Sequence, residues 1–302
     1  MIGYLYNTFS HLHDTGPHLE INERCEKIDE MMQEKYDVKQ LEILKGDKND
    51  LFRIHDEKYI NWIEYGYKKG VRSIISNDTI VSEGSYEVAL STATSTKSVI
   101  DFFKNGGKRA FLNLRPPGHH AETKTGQGFC FFNNIALMAK YAQDAGYEKV
   151  LIIDFDVHHG NGTQEIFYHD KSVFYFSTHE ENNYPFTGRE DEIGEGAGYG
   201  YTRNMPYHDR IDDEDFLSLF DELPKSFKPD IVLVSAGYDL MKKEEISSAQ
   251  ITFEGLRAML AKILSDYHDK PIAFVLEGGY NLDSLVESVD ITLSMLNESD
   301  CA

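Results

Sequence analysis

Six short apolar runs dominate the chain: IGYLY near the start, AFLNL (110–114), VLIIDFDV (150–157), SVFYFS (172–177), DIVLVSAG (230–237) and IAFVLEGG (272–279). Unbroken runs of this length read as strands buried on both faces, the condition of parallel strands covered by helices. Between them, FFNNIALMAKYAQDAG (131–146), DEDFLSLFDELPKSF (213–227) and TFEGLRAMLAKILSDYH (252–268) carry apolar residues at helical spacing. The alternation predicts an α/β fold in which helices flank a central, mostly parallel sheet. No repeat, low-complexity tract or proline-rich linker divides the 302 residues. A single domain over 1–302 is therefore expected.

Open α/β sheets bind ligands beyond the carboxyl ends of their strands, so the residues that follow each run carry the functional information. VLIIDFDVHHGNG ends in Asp154, Asp156 and His158, which alternation along an extended chain points to one side. SAGYD ends at Asp239, LEGGY at Tyr280, and RPPGHHA sets His119 and His120 after AFLNL. Any one aspartate after a buried strand can instead cap the next helix. Taken together with the histidine pair, Asp156, His158 and Asp239 suit a divalent ion that keeps positions open for water and substrate. Carboxylates also suit manganese and imidazole also suits iron, so donor type leaves the ion unnamed.

Charge narrows the partners. With 30 Lys and Arg against 51 Asp and Glu, the formal charge of −21 opposes binding to phosphate backbones. It suits a cationic substrate, or serves solubility alone. Cys25, Cys130 and Cys301 form no CxxC pair and suggest neither a disulfide framework nor a cysteine zinc site. No basic leader and no run of about 18 apolar residues occurs. The expectation is a soluble cytoplasmic protein with no membrane or nucleic-acid partner.

In order along the chain, RPPGHHA…GFCFFNN, DFDVHHGNGTQ, SAGYD and LEGGYNL, preceded by HDTGPHLEINERCEKI, resemble the metal-dependent histone deacetylase and acetylpolyamine amidohydrolase superfamily, its class II branch in particular. The resemblance spans about residues 11–285. It implies an arginase-like fold, one catalytic zinc ion on Asp156, His158 and Asp239, His120 as general base, His119 as electrostatic partner and Tyr280 as oxyanion donor. Asp154 and Asn161 correspond to the groups behind the two histidines. Gly128, Phe129 and Tyr184 correspond to the walls of an acyl-lysine channel, and Asp78 to a loop aspartate that grips the substrate backbone. A structural potassium ion is implied beside Asp154, Asp156, His158, Ser177 and Thr178, while His159 is expected to pack rather than ligate.

The chain departs from the family after SAGYD, where LMKKEEI replaces an Asp-Pro pair followed by an apolar residue. Ile246 falls at the channel mouth, where polyamine-selective relatives carry glutamate. Glu244 or Glu245 is then the candidate to take over cation selection. The implied activity is hydrolysis of an acyl-lysine amide, the alternative being an acetylated polyamine or another small amide. Two-manganese ureohydrolases would share the fold but show Asp-x-His-x-Asp at the strand end, and a non-catalytic acyl-lysine reader would not need Tyr280 or the histidine pair. A neutral Asn161 raises the His120 pKa less than a carboxylate would. Asn161→Asp should therefore shift the pH profile of the activity, and an unchanged profile would remove Asn161 from the assignment.

Overall fold

The computed structural model describes residues 1–68 and 78–300. In chain order its elements are β1 (Gly3–Tyr6), α1 (Glu23–Lys35), β2 (Lys39–Gln40), α2 (Lys48–Leu51), α3 (Glu57–Lys68), α4 (Ser85–Lys104), β3 (Arg109–Asn113), α5 (Asn134–Asp144), β4 (Val150–Asp154), α6 (Asn161–Phe167), β5 (Val173–Glu180), β6 (Thr202–Tyr207), α7 (Asp213–Leu219), β7 (Ile231–Ala236), α8 (Phe253–Asp266), β8 (Ile272–Leu276) and α9 (Leu282–Asp300). The eight strands form one sheet in the order β2-β1-β3-β8-β7-β4-β5-β6. Every pairing is parallel.

Both faces of the central strands are covered, which is why their sequences are apolar without alternation. Leu151 and Ile153 of β4, with Ile272, Phe274 and Leu276 of β8, join a core closed by α1, α7, α8 and α9. Val150 and Ile152, with Ala273 and Val275, join a second core closed by α2 to α6. Burying each Val, Leu, Ile or Phe side chain among them stabilises the fold by roughly 1.5–3 kcal/mol. Helix starts are fixed by Asn133, Asp212 and Thr252, whose side chains accept from the N–H groups of Ala136, Asp215 and Gly255.

All six expected strands are present, and two more extend the sheet at its edges. Neither carries an apolar run: β2 is two exposed residues, and β6 reads TRNMPY with mixed burial. An edge strand needs little apolar surface and tolerates Pro206, because its outer N–H groups have no ladder to serve. Strand β4 stops at Asp154, so Asp156 and His158 stand in the loop beyond it rather than on an extended run. The stretch 213–227 is not one helix, since α7 gives way to a 3-10 turn at Phe220–Glu222 ahead of Pro224.

The connection from β3 through α5 to β4 skips two places in the sheet, later filled by β7 and β8. The carboxyl ends of β3, β8, β7 and β4 therefore lie side by side where the winding changes direction, the position at which α/β sheets bind ligands.

Beneath this edge His55 joins two site loops. Its Nδ1–H donates to the Glu122 carbonyl (2.9 Å) and its Nε2 accepts the Asn133 N–H (3.0 Å). Burial lowers its pKa to about 4. The unfolded imidazole binds a proton near pH 6.5 and the folded one only near pH 4, so stability falls as pH drops through that window. Between pH 7 and pH 5 His55 should cost about 2 kcal/mol of stability. Urea midpoints for wild type and His55→Gln test this: the variant should lose correspondingly less, and equal pH slopes would sink the account.

Candidate metal centre and active site

Asp156, His158 and Asp239 each present one donor atom, all within 4.8 Å of one another. His158 Nδ1 lies 3.0 Å from Asp156 Oδ1 and 3.2 Å from Asp239 Oδ2. The remaining oxygens are tied to backbone: Asp156 Oδ2 accepts the Gly278 N–H (2.9 Å) and Asp239 Oδ1 the Val157 N–H (3.1 Å). Asp239 Oδ2 is buried without a hydrogen bond of good geometry. Two carboxylates out of water need positive charge to be stable. Burial opposes a charged His158, yet Asp156 and Asp239 outweigh it and raise its pKa to about 10. The field that draws a proton to Nδ1 would equally hold a dication, so the donor set fits a divalent metal.

Close approach to backbone makes this packing depend on glycine. A Cβ on Gly237 would stand 1.9 Å from Asp156 Oδ2, and one on Gly278 would stand 2.1 Å from Asp239 Oδ2. These are the glycines of SAGYD and LEGGY.

His119 and His120 lie with ring centroids 4.0 Å apart and planes tilted by 45°, but their surroundings differ. His119 Nδ1 meets Asp154 Oδ2 at 3.1 Å, and Asp154 also accepts the Tyr175 hydroxyl. Burial disfavours a charged His119, but Asp154, Asp156 and Glu277 prevail and raise its pKa to about 10. His120 Nδ1 meets Asn161 Oδ1 at 2.8 Å, with no carboxylate in contact. Burial first, then His119 and His158, push it well below the usual imidazole range. A pair of titratable groups driven apart in this way divides into an acid and a base.

Aromatic rings stand around the pair. Tyr184 meets His120 edge-on at 5.1 Å and His158 at 6.2 Å, while Phe129 meets Tyr280 at 5.9 Å and His18 at 4.6 Å. Gly128 and Phe129 both have positive φ, 55° and 68°. Their N–H groups are held by Asp78 Oδ1 (3.3 Å) and Thr79 Oγ1 (3.1 Å). Asp78 thus braces the loop that carries Phe129. His159, in tilted ring contact with His179 at 4.7 Å and bonded to Thr187 and Gln164, packs as expected.

Sequence reading missed the residues that hold the loops from behind. Glu277 Oε2 accepts the N–H groups of Gly118 (2.7 Å) and His119 (3.2 Å), tying β8 to the histidine loop. Arg24 donates to the carbonyls of Glu277 and Gly279, both at 2.6 Å, and its guanidinium lies 4.9 Å from the Tyr280 ring. Glu20 joins Arg24 (3.3 Å) to Arg115 (2.8 Å). All four lie inside sequence motifs, Glu20 and Arg24 in HDTGPHLEINERCEKI, Arg115 in RPPGHHA and Glu277 in LEGGY, but nothing in those strings says which backbone groups they reach.

Glu244 is not a cation selector at a channel mouth. Its Oε1 accepts the N–H groups of Tyr280 and Asn281, both at 2.9 Å, so the carboxylate turns inward to satisfy backbone donors. Glu245 is exposed and Ile246 half-buried in the same loop. On β5, Ser177 Oγ bonds His179 Nδ1 at 2.9 Å, and Thr178 Oγ1 is buried with no protein partner.

Comparison with known proteins agrees with this geometry. Residues 18–296 match the family model described as histone deacetylase domain. The chain is 38% identical over 251 residues to a probable deacetylase of Archaeoglobus fulgidus, covering 80% of this chain and 69% of that one. It is 37% identical to histone deacetylase 10, chloroplastic, of Oryza sativa subsp. japonica and 36% to histone deacetylase 15 of Arabidopsis thaliana. The matches cover 84% and 82% of this chain but 62% and 46% of those relatives, so it spans less than two thirds of either plant protein. A crystal structure of the HDA15 HD domain superposes with a TM-score of 0.92 at 32% identity, covering 98% of this chain and 90% of that one.

The glycine contacts generate a direct check on the metal site. Gly278→Ala forces the Asp156 and Asp239 carboxylates apart and should weaken zinc binding to chelator-treated protein roughly 10–100-fold in calorimetric titration. Unchanged affinity would show that these carboxylates are not the ligands.

Proposed function

The chain belongs to the histone deacetylase family, and on that premise we propose that it is a zinc-dependent amidohydrolase removing acyl groups, acetyl by default, from the side-chain nitrogen of lysine. The observation that carries the reading is the placement of His119 on Asp154 and of His120 on Asn161, side by side next to the three metal donors. An amide resists hydrolysis because its carbonyl is a weak electrophile and its amine a poor leaving group. Zinc, when bound by Asp156, His158 and Asp239, supplies Lewis acidity and lowers the pKa of a water. Neutral His120 takes the proton of the attacking water at Nε2, and the histidine pair returns one to the departing nitrogen. His119, oriented by Asp154, contributes positive charge where negative charge develops.

Tyr280 is the proposed donor to the oxyanion. Burial raises its pKa well above the usual phenol value even against the Arg24 charge, so the hydroxyl keeps its proton at neutral pH. Phe129 and Tyr184, with Gly128 between loop and ring, are proposed to flank the acyl-lysine stem and exclude water. Asp78, which already braces that loop, is proposed to take a substrate backbone N–H as well. A potassium ion beside Asp154, Asp156, His158, Ser177 and Thr178 is a further proposal, supported by the unpartnered Thr178 Oγ1.

Lysine is favoured over polyamine because Glu244 faces inward and Ile246 stands half-buried as an apolar gate, which leaves the exposed Glu245 as the remaining candidate for cation selection. We also read 1–302 as one catalytic domain. The cytoplasm is the proposed compartment, supported by the free, buried Cys25 and Cys130; among the described residues no helix is long and apolar enough to cross a membrane. Acetate release by zinc-loaded protein should be faster from an acetyl-lysine peptide than from N-acetylputrescine, and Tyr280→Phe should lower it by about 10²–10³-fold. Preference for the polyamine would move the assignment to that substrate, and silence on both would overturn it.

A further inference from the structure

A histidine that acts as a base is neutral and carries one ring proton and one lone pair, so for His120 their placement decides whether it can accept a proton. If Nδ1 holds the proton, Nε2 keeps its lone pair. If Nε2 holds it, that nitrogen can accept nothing. Nδ1 faces the Asn161 side chain at 2.8 Å, and an amide is ambiguous there, since its oxygen accepts while its nitrogen, nearly the same in shape, donates. Turning the amide over would move the His120 proton to the wrong nitrogen.

What prevents the turn lies on the far side of Asn161. Its Nδ2 donates to Glu122 Oε1 at 2.6 Å, and an ionised carboxylate has no hydrogen to give. Asn161 must therefore present nitrogen to Glu122 and oxygen to His120. Gln127 Nε2 donates to the same Glu122 oxygen at 3.3 Å, which turns Gln127 Oε1 to accept the Tyr184 hydroxyl at 3.4 Å. Glu122 is itself anchored through its backbone, its N–H on the Thr125 carbonyl and its carbonyl on His55.

We infer that Glu122 is a positioning residue: its carboxylate fixes the Asn161 amide, which fixes the Nδ1–H tautomer of His120, and through Gln127 it orients Tyr184 in the same network. Glu122 touches neither substrate nor metal donors and acts only through its neighbours. The inference rests on His120 being the base of the proposed hydrolysis, but the tautomer can be read without turnover. It also refines the Asn161→Asp expectation, because the new carboxylate would face Glu122 across 2.6 Å and the two negative charges would repel.

The test is histidine-selective nitrogen-15 NMR of the protein, zinc-loaded and again after chelation, alongside kinetics. Wild type should show His120 as Nδ1–H. Glu122→Ala should admit the Nε2–H form and lower kcat by about tenfold with KM changed by less than roughly twofold. Glu122→Gln can still turn an oxygen to Asn161 and should retain most of kcat. Asn161→Asp/Glu122→Gln should recover activity relative to Asn161→Asp alone. An unchanged tautomer in Glu122→Ala, a kcat loss without tautomer change, or a double variant no better than Asn161→Asp would each overturn the inference. If wild type hydrolyses neither substrate, the functional reading fails while the tautomer still decides this one.

Discussion

Two carboxylates cut off from water, Asp156 and Asp239, constrain everything around them. Their burial is tolerable only beside positive charge, and the structure answers with His158 between them and His119 at 3.9 Å from Asp156. Space for this cluster exists because the four central strands end together and because glycine occupies the two positions where a Cβ would strike the carboxylates. A second charged cluster, Glu20 between Arg24 and Arg115, lies behind Tyr280 and is self-contained. There the two guanidinium groups overcome the cost of burial and keep Glu20 below the usual carboxylate range. One cluster carries an excess of negative charge that a dication can satisfy; the other carries positive charge that backbone carbonyls absorb.

The central sheet was legible because burial on both faces leaves no choice of residue: β4, β7 and β8 are apolar throughout apart from Asp154 and Ser235, which stand near their ends. Edge strands escape that pressure, and so β2 and β6 leave no run to read. The break in 213–227 turns on the local choice of a 3-10 turn before Pro224, which helical spacing of apolar residues does not encode.

At the site, legibility followed chain distance. Asp156, His158, Asp239, His119, His120 and Tyr280 each follow a strand directly, so recognising the strand located the residue. Arg24 serves carbonyls more than 250 positions away, and Glu244 serves Tyr280 from another loop. Their roles depend on tertiary contact alone. Glu244 shows the hazard best, because an acidic run near a channel reads as a surface feature until its oxygen is found under two backbone N–H groups. Glu122 was adjacent to the histidine motif, yet nothing in RPPGHHAE says that its carboxylate reaches Asn161 rather than solvent.

The difference between the two histidines then follows from where the negative charge sits. His119 has a carboxylate in direct contact at 3.1 Å, and coulombic attraction at that distance in a buried site is strong enough to overcome desolvation. His120 has a carboxylate too, but Asn161 stands between them. The amide transmits orientation, since each of its ends has a fixed partner, while the added distance and the half-exposed setting of Glu122 attenuate the charge. A carboxylate in contact would pull His120 upward as well, and so raise the pH above which it keeps a lone pair for the water proton. The neutral spacer lets adjacent residues of one loop differ in proton affinity, and so divide the tasks of holding and accepting a proton.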